Sequence, residues 1–191
     1  WDDTSINAPE LARRAENAGV RMITVHGRTR AQLYNGRADW SRVRDVREAI
    51  SVPLVVNGDV ADARDARNAL SASGADAVMV GRASYGQPWL PGKIADGAGF
   101  AEPCRAPAPA TETLGDYVAE HYLDMLSHYG RETGVRHARK HLGWYLDRHC
   151  RLAGDMAEGL RRQILASNNP DEVIRLMSLA LSESHPEGMA A

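Results

Sequence analysis

The sequence predicts an α/β fold, on three observations. Short apolar runs at residues 22–25, 53–56 and 77–80 alternate with segments of helical periodicity, and the connections between them are short. Parallel strands need a crossover, usually a helix, so this alternation implies βα units and a parallel sheet. The runs read as apolar on both faces, which suits a barrel and a doubly wound sheet equally, and periodicity does not choose between the two. Beyond residue 97 the composition changes to Gly, Ala and Pro, including Pro103, Pro107 and Pro109, and only helical signals lie beyond it. That stretch is a linker, and the remainder of the chain is a small all-α helical bundle.

The elements are justified in chain order. Asn7 is placed to cap a helix over 8–18, with Pro9 in its first turn, Leu11, Ala15 and Ala18 on one face and Gly19 at its end. Strand 22–25 runs into His26-Gly27, and a polar loop covers 28–38. Asp39 caps a helix that carries Trp40, Val43, Val46 and Ile50 at helical spacing. Strand 53–56 ends in Asn57-Gly58-Asp59. A helix over 61–71 leads through Gly74 to strand 77–80, which ends in Gly81-Arg82, and a short helix begins at once. After the linker, helices are predicted over 114–128, 134–150, 156–167 and 170–181, the last capped by Asn169. The predicted division is a βα part at 1–98, a linker at 99–112, a helical domain at 113–185 and a tail at 186–191.

Composition limits the functional classes. A chain of 191 residues with 43% hydrophobic content can bury one core, or one core and a small satellite. Lys and Arg total 23 against 25 Asp and Glu, so any nucleic-acid affinity must come from a local patch. Cys104 and Cys150 fit neither a disulfide framework nor a Cys/His metal spacing, which predicts free thiols, no metal and a cytoplasmic setting. No apolar run approaches the roughly 18 to 20 residues that span a bilayer, so no membrane partner is expected. The chain opens at Trp1 in what reads as a loop before a helix, and is taken as a fragment.

In parallel α/β folds ligands sit at the carboxyl ends of the strands. Here those ends carry His26, Asn57-Gly58-Asp59 and Gly81-Arg82. Glycine turns at strand-to-helix junctions suit a phosphate, because backbone N–H groups and the helix dipole attract the anion and a guanidinium adds a charge-assisted contact. The same glycines also serve plain tight turns, and a lone strand-end histidine is as readily a core residue as a ligand contact. On the predicted helix 134–150, Val135, Ala138, Leu142 and Tyr145 make an apolar stripe that leaves Arg136, Arg139, Lys140 and Arg148 mainly outward. Such a stripe of cations is either a solvated face or a contact for RNA phosphates.

The run Ile23-Thr24-Val25-His26-Gly27-Arg28-Thr29-Arg30, with Tyr34-Asn35-Gly36 and Asp39-Trp40 after it, resembles the sixth barrel strand and adjoining loop of tRNA-dihydrouridine synthases. Pro53 to Val60, Gly74-Ala75-Asp76, Met79-Val80-Gly81-Arg82-Ala83 and Gly86-Gln87-Pro88-Trp89 resemble that family's last two strands in order and spacing. Arg139-Lys140-His141 with Trp144-Tyr145 is similar to the helical domain of bacterial B-type members. The resemblance implies the C-terminal part of a TIM (β/α)8 barrel, strands six to eight, and after it a helical tRNA-binding domain. It implies FMN held at its phosphate and ribityl end by Asn57, Gly58, Asp59, Gly81 and Arg82, with His26 near the ring. Arg28, Thr29 and Arg30 would face the substrate, and Arg136, Arg139 and Lys140 the tRNA. The implied reaction reduces uridine to dihydrouridine, with hydride passing from NADPH through FMN and a cysteine thiol as general acid. That cysteine and a flavin-contacting lysine lie upstream in the family, so this chain alone is expected to be inactive. The alternatives are a non-catalytic RNA-binding module and a barrel enzyme, an aldolase or isomerase, acting on a phosphorylated small molecule.

Overall fold

The computed structural model describes residues 1–33, 35–99, 108–110 and 113–182. They pack as two compact units: Trp1–Ser84 with the segment that begins at Trp89, and Tyr85–Pro88 with the segment that begins at Ala108. Most of the predicted linker, the whole predicted tail, Tyr34 and Cys104 lie outside the described residues.

The first unit contains α1 (Ala8–Asn17), β1 (Ile23–His26), a 3-10 turn (Ser41–Val43) running into α2 (Arg44–Ala49), β2 (Leu54–Asn57), α3 (Ala63–Ser73), β3 (Ala77–Met79), a second 3-10 turn (Arg82–Ser84) and α4 (Leu90–Ala98). The three strands form one parallel sheet in the order β1-β2-β3, as the alternation of elements predicts. Because side chains alternate along a strand, Leu54 and Val56 share a face with Ile23, Val25 and Val78. That face packs against Val43, Val46, Ala66, Ala69 and Ile94 from the helices. Thr24, His26, Ala77 and Met79 point to the other face and are exposed among the described residues.

Helix boundaries are set by their caps. Asp39 accepts from Ser41 N at 3.0 Å and Ser41 Oγ at 2.5 Å, which starts the first 3-10 turn. The third helix begins later than predicted because Asp62 is the residue that caps it, accepting from Asp65 N at 2.7 Å. Asn7 makes no side-chain cap, contrary to expectation; only its backbone oxygen is used, by Leu11 N at 3.0 Å. Helix α4 was not anticipated, since Pro91, Gly92 and Gly97 disguise it. Pro is tolerated in a first turn, and burial of Leu90 and Ile94 holds the helix in place.

The second unit is helical among the described residues: α5 (Leu114–Tyr129), α6 (Arg131–His149), α7 (Gly154–Ala166) and α8 (Pro170–Leu181), the last capped as predicted by Asn169. Val135, Ala138, Leu142 and Tyr145 are all buried, as their spacing requires, and so are Val118, Tyr122, Ile164 and Val173 of the other helices of this unit. Tyr145 keeps a partner for its hydroxyl, 2.9 Å from His121 Nδ1, and burial pushes that hydroxyl far above the usual tyrosine range. The segment Tyr85–Pro88 belongs to this unit. The Tyr85 ring stacks on Trp144 at 3.8 Å, Arg148 Nε donates to Tyr85 O at 3.0 Å, and His149 Nε2 lies 2.7 Å from Gly86 O.

Helices α5 and α6 approach closely at Gly134. A Cβ there would stand 2.8 Å from Leu126 Cα and 2.9 Å from Met125 O, both backbone atoms that cannot swing aside. Alanine would gain up to ~1 kcal/mol in helix propensity but cost ~1 to 3 kcal/mol in overpacking. Gly134→Ala is therefore expected to lower stability, by up to about 2 kcal/mol, in urea unfolding monitored by circular dichroism. An unchanged or raised midpoint would show that the helices separate without cost.

Candidate functional site at the strand ends

Parallel register sets the site. His26, Asn57 and Met79 are paired across the sheet, so the three strands end in one row and the turns beyond them lie side by side. Asn57 links all three. Its carbonyl accepts from Gly27 N at 2.9 Å and lies 3.2 Å from His26 Nδ1, while its side-chain Nδ2 donates to Met79 O at 2.9 Å.

The turn after β2 needs its glycine. Gly58 has φ of 120°, and a Cβ there would lie 2.7 Å from Ala38 Cβ and 3.0 Å from the His26 ring. Its carbonyl accepts from Trp40 Nε1 at 2.8 Å. Asp59 comes next with φ of 54°, a left-handed conformation that aspartate tolerates better than most residues. Its Oδ2 accepts from Ala38 N at 2.7 Å and from Arg28 Nη2 at 2.6 Å. The Arg28 side chain is only 3% exposed. It also donates from Nη2 to Gly36 O at 2.9 Å and from Nε to Asn35 O at 3.3 Å, while its buried Nη1 has no hydrogen-bond partner among the described residues. Burial of Asp59 would raise its pKa, but the Ala38 amide, Arg28 and the nearby charge of Arg82 outweigh that and hold the carboxyl below the usual range.

After β3, Ser84 N and Oγ both donate to Gly81 O, at 3.0 and 2.7 Å, and fix the turn that carries Arg82. A Cβ at Gly81 would meet nothing nearer than Asn57 Nδ2 at 3.9 Å, so space beside this backbone remains open to another group.

Beside the end of β1 lies a cavity of about 320 Å³ whose wall includes Arg28, Thr29, Arg30 and Arg37. Thr29 and Gln32 satisfy each other: Thr29 N donates to Gln32 Oε1 at 2.7 Å, and Gln32 N to Thr29 Oγ1 at 3.3 Å. The Arg30 guanidinium sits 5.9 Å from the Trp1 ring centroid.

The predicted cations of α6 divide. Arg136 and Lys140 are exposed, as expected. Arg139 is only half-exposed, because its Nη2 turns to Asn168 Oδ1 at 2.9 Å and Ala166 O at 3.4 Å and so ties α6 to the α7–α8 corner. Together Arg131, Arg136, Arg139 and Asn168 line a groove of about 560 Å³.

The family model for dihydrouridine synthase (Dus) matches residues 1–184. The chain belongs to the Dus family. It is 50% identical over 192 residues to a probable tRNA-dihydrouridine synthase of Rhizobium leguminosarum bv. phaseoli, covering 100% of this chain and 56% of that protein. A protein of the same description from Rhodobacter capsulatus is 47% identical over 184 residues, 96% of this chain and 54% of the relative. The tRNA-dihydrouridine synthase B of Pectobacterium carotovorum is 41% identical over 150 residues, 78% of this chain and 46% of the relative. The chain thus spans about half the length of the curated relatives it matches. Among the described residues no helix is long and apolar enough to cross a membrane, and no group of three or more His, Cys, Asp or Glu side chains could hold a metal ion.

Residue types alone did not reveal the contributions of Trp40, Ala38 and Arg131. Trp40 reads as a core residue of a helix, although an indole N–H that is partly buried needs an acceptor, and that need is the signal that points to the Gly58 carbonyl. Ala38 takes part only through its backbone, which no pattern of side chains can disclose.

The Asp59 contacts set a pH dependence. A carboxyl whose folded pKa is depressed adds stability that is fully present above its unfolded value, about 4, and is lost as pH falls through the folded value. The urea midpoint is expected to fall as pH drops below about 4, and Asp59→Asn to show less of that fall while losing ~1 to 3 kcal/mol at neutral pH. If parent and variant have the same acid limb, the ion pair contributes nothing to folding.

Proposed function

We propose that the complete protein is a flavin-dependent tRNA-dihydrouridine synthase, reducing uridine to 5,6-dihydrouridine in tRNA, and that it works in the cytoplasm. The observation that carries this reading is the Gly81-Arg82 turn: a backbone with open space beside Gly81 and an arginine next in sequence, beside the Asn57-Gly58-Asp59 turn. In this reading β1 to β3 are strands six to eight of a TIM barrel, and α5 to α8 form the helical tRNA-binding domain, with the unit boundary near residues 98 to 112. Barrels of that type often bind phosphate after strands seven and eight.

The donor set fits a phosphate-bearing flavin such as FMN. Gly81 offers approach to its backbone, and Arg82 offers a guanidinium for the phosphate. Asn57 and Gly58 hold the neighbouring turn in place through the Met79, Gly27 and Trp40 contacts. Asp59 is itself an anion, so its part is to hold that turn rather than to face phosphate. FMN, when bound, supplies the hydride chemistry, with NADPH as the reductant. His26, exposed at the end of β1, would lie near the flavin ring in this reading. Arg28, Thr29 and Arg30 flank the cavity that faces the substrate, with Arg28 buried in its wall. The general-acid cysteine and the flavin-contacting lysine belong to the half of the family's length that this chain does not span. On the helical unit, the exposed Lys140 and the groove that Arg136 lines with Arg131 and Arg139 meet RNA phosphates.

Two outcomes test this reading in the full-length protein. Arg82→Ala is expected to weaken FMN retention by about one to two decades, the loss of a charge-assisted contact of ~1.5 to 3 kcal/mol, measured by flavin absorbance after dialysis. Undiminished flavin content would remove Arg82 from the phosphate site. The double substitution Arg136→Ala with Lys140→Ala, both exposed, should leave flavin content and fold intact while weakening tRNA binding and lowering its salt slope by about one to two. Equal slopes for parent and variant in filter-binding titrations would assign these cations to a solvated face.

A further inference from the structure

We propose that the groove bordered by the stacked rings of Tyr85 and Trp144 on the helical unit seats an unpaired nucleobase of the tRNA against those rings. This inference rests on the tRNA reading of that unit and adds to it a contact with a base rather than with phosphate. The two ring centroids lie 3.8 Å apart and the planes 8° from parallel. Tyr85 is 41% exposed although Trp144 covers one of its faces. With Asp147 and Arg148 the pair lines a groove of about 400 Å³, within the roughly 300 to 1,000 Å³ of clefts that hold small ligands.

The pair is held in place before any base arrives. Arg148 Nε donates to Tyr85 O at 3.0 Å, and His149 Nε2 lies 2.7 Å from Gly86 O. Gly86 has φ of 70°, and a Cβ there would collide with the Trp144 carbonyl, so only glycine lets the segment lie this close to α6. His141 meets the Trp144 ring edge-on, with centroids 4.9 Å apart. Rings fixed in this way lose little further freedom when a base stacks on them.

Two features select a base of RNA as the occupant. Arg136, Lys140 and Trp144 follow one another at four-residue spacing, so they share one stripe of α6, and the first two are exposed. A strand whose phosphates lie along Arg136 and Lys140 reaches the aromatic pair about 6 Å farther along the helix axis. The groove itself is lined by two rings and one side chain of each sign, Asp147 and Arg148. It therefore offers flat apolar surface without the net positive charge that a phosphate seeks. Unpaired RNA bases stack on aromatic side chains, whereas bases inside a duplex have no free face.

The test uses full-length protein and an unmodified tRNA transcript, in filter-binding titrations at several salt concentrations, with thermal unfolding recorded for each variant. Tyr85→Leu is expected to bind tRNA about tenfold more weakly at every salt concentration with an unchanged salt slope, because stacking releases no counterions. Tyr85→Phe, which keeps a ring, should bind within about threefold of the parent. A ring pair that only clamps its segment to α6 predicts otherwise: losing the clamp disturbs the helix that carries Arg136 and Lys140 and flattens the slope. Tyr85→Leu binding as the parent does, a loss accompanied by a flatter slope, or Tyr85→Phe as weak as Tyr85→Leu would each overturn the proposal. Should Tyr85→Leu fail to fold, ultraviolet cross-linking of the unaltered protein to tRNA carries the test. Adducts are expected on Tyr85 or Trp144, and their absence from both rings overturns it. The double substitution Arg136→Ala with Lys140→Ala separates this proposal from the reading beneath it. If that variant loses affinity and slope while Tyr85→Leu binds normally, the stacking role fails and the tRNA surface stands. If the parent itself binds no tRNA, both fail.

Discussion

The register of the parallel sheet is the constraint on which the rest of the first unit depends. Side chains alternate with a period of two, so a slip of one residue between β1 and β2 would turn Leu54 and Val56 out of the core and Asn57 into it. With the observed pairing, two fully buried residues of β2 face the helices, and the same pairing leaves His26, Asn57 and Met79 in one row at the strand ends. Core and site are thus two readings of one alignment. Burial of the apolar face makes the alignment costly to change, and the polar row inherits that precision without contributing much to stability itself.

The turns are then fixed by a second layer of contacts that crosses from one βα unit to the next. Trp40 reaches Gly58, Ala38 and Arg28 reach Asp59, and Asn57 reaches Met79. Each contact joins residues at least 18 positions apart in sequence. The loop after β1 and the turn after β2 consequently form one structure. A buried guanidinium at its centre is costly to remove, because its departure would leave a carboxylate and two carbonyls with poorer partners.

Much of the fold was legible in the sequence because it rests on local signals. Apolar runs bounded by glycine, and caps at Asp39 and Asn169, act over a few residues and need no tertiary information. The misjudged points are those where distant contacts decide. Asn7 has cap chemistry but does not use it, and α4 forms despite two glycines because Leu90 and Ile94 find a core. The strand-end residues could be named in advance as a set, yet their division of labour could not. Arg28 sits two residues from Arg30 in a basic run, and only the long-range pairing with Asp59 distinguishes the buried one from its neighbour. Arg139 likewise shares the apparent outward face of α6 with Lys140, and the α7–α8 corner, remote in sequence, draws it in.

The four residues Tyr85–Pro88 bear on how the protein can be dissected. They lie in sequence between the second 3-10 turn and α4, both of the first unit, but they pack with the helices of the second. No single cut in the chain therefore separates the two. A recombinant piece starting at residue 108 would carry a bare Trp144 where Tyr85 had stacked, and Arg148 and His149 would lose the carbonyls of Tyr85 and Gly86. Any excision of the helical part needs those four residues supplied in some other way, for instance as a grafted leader peptide.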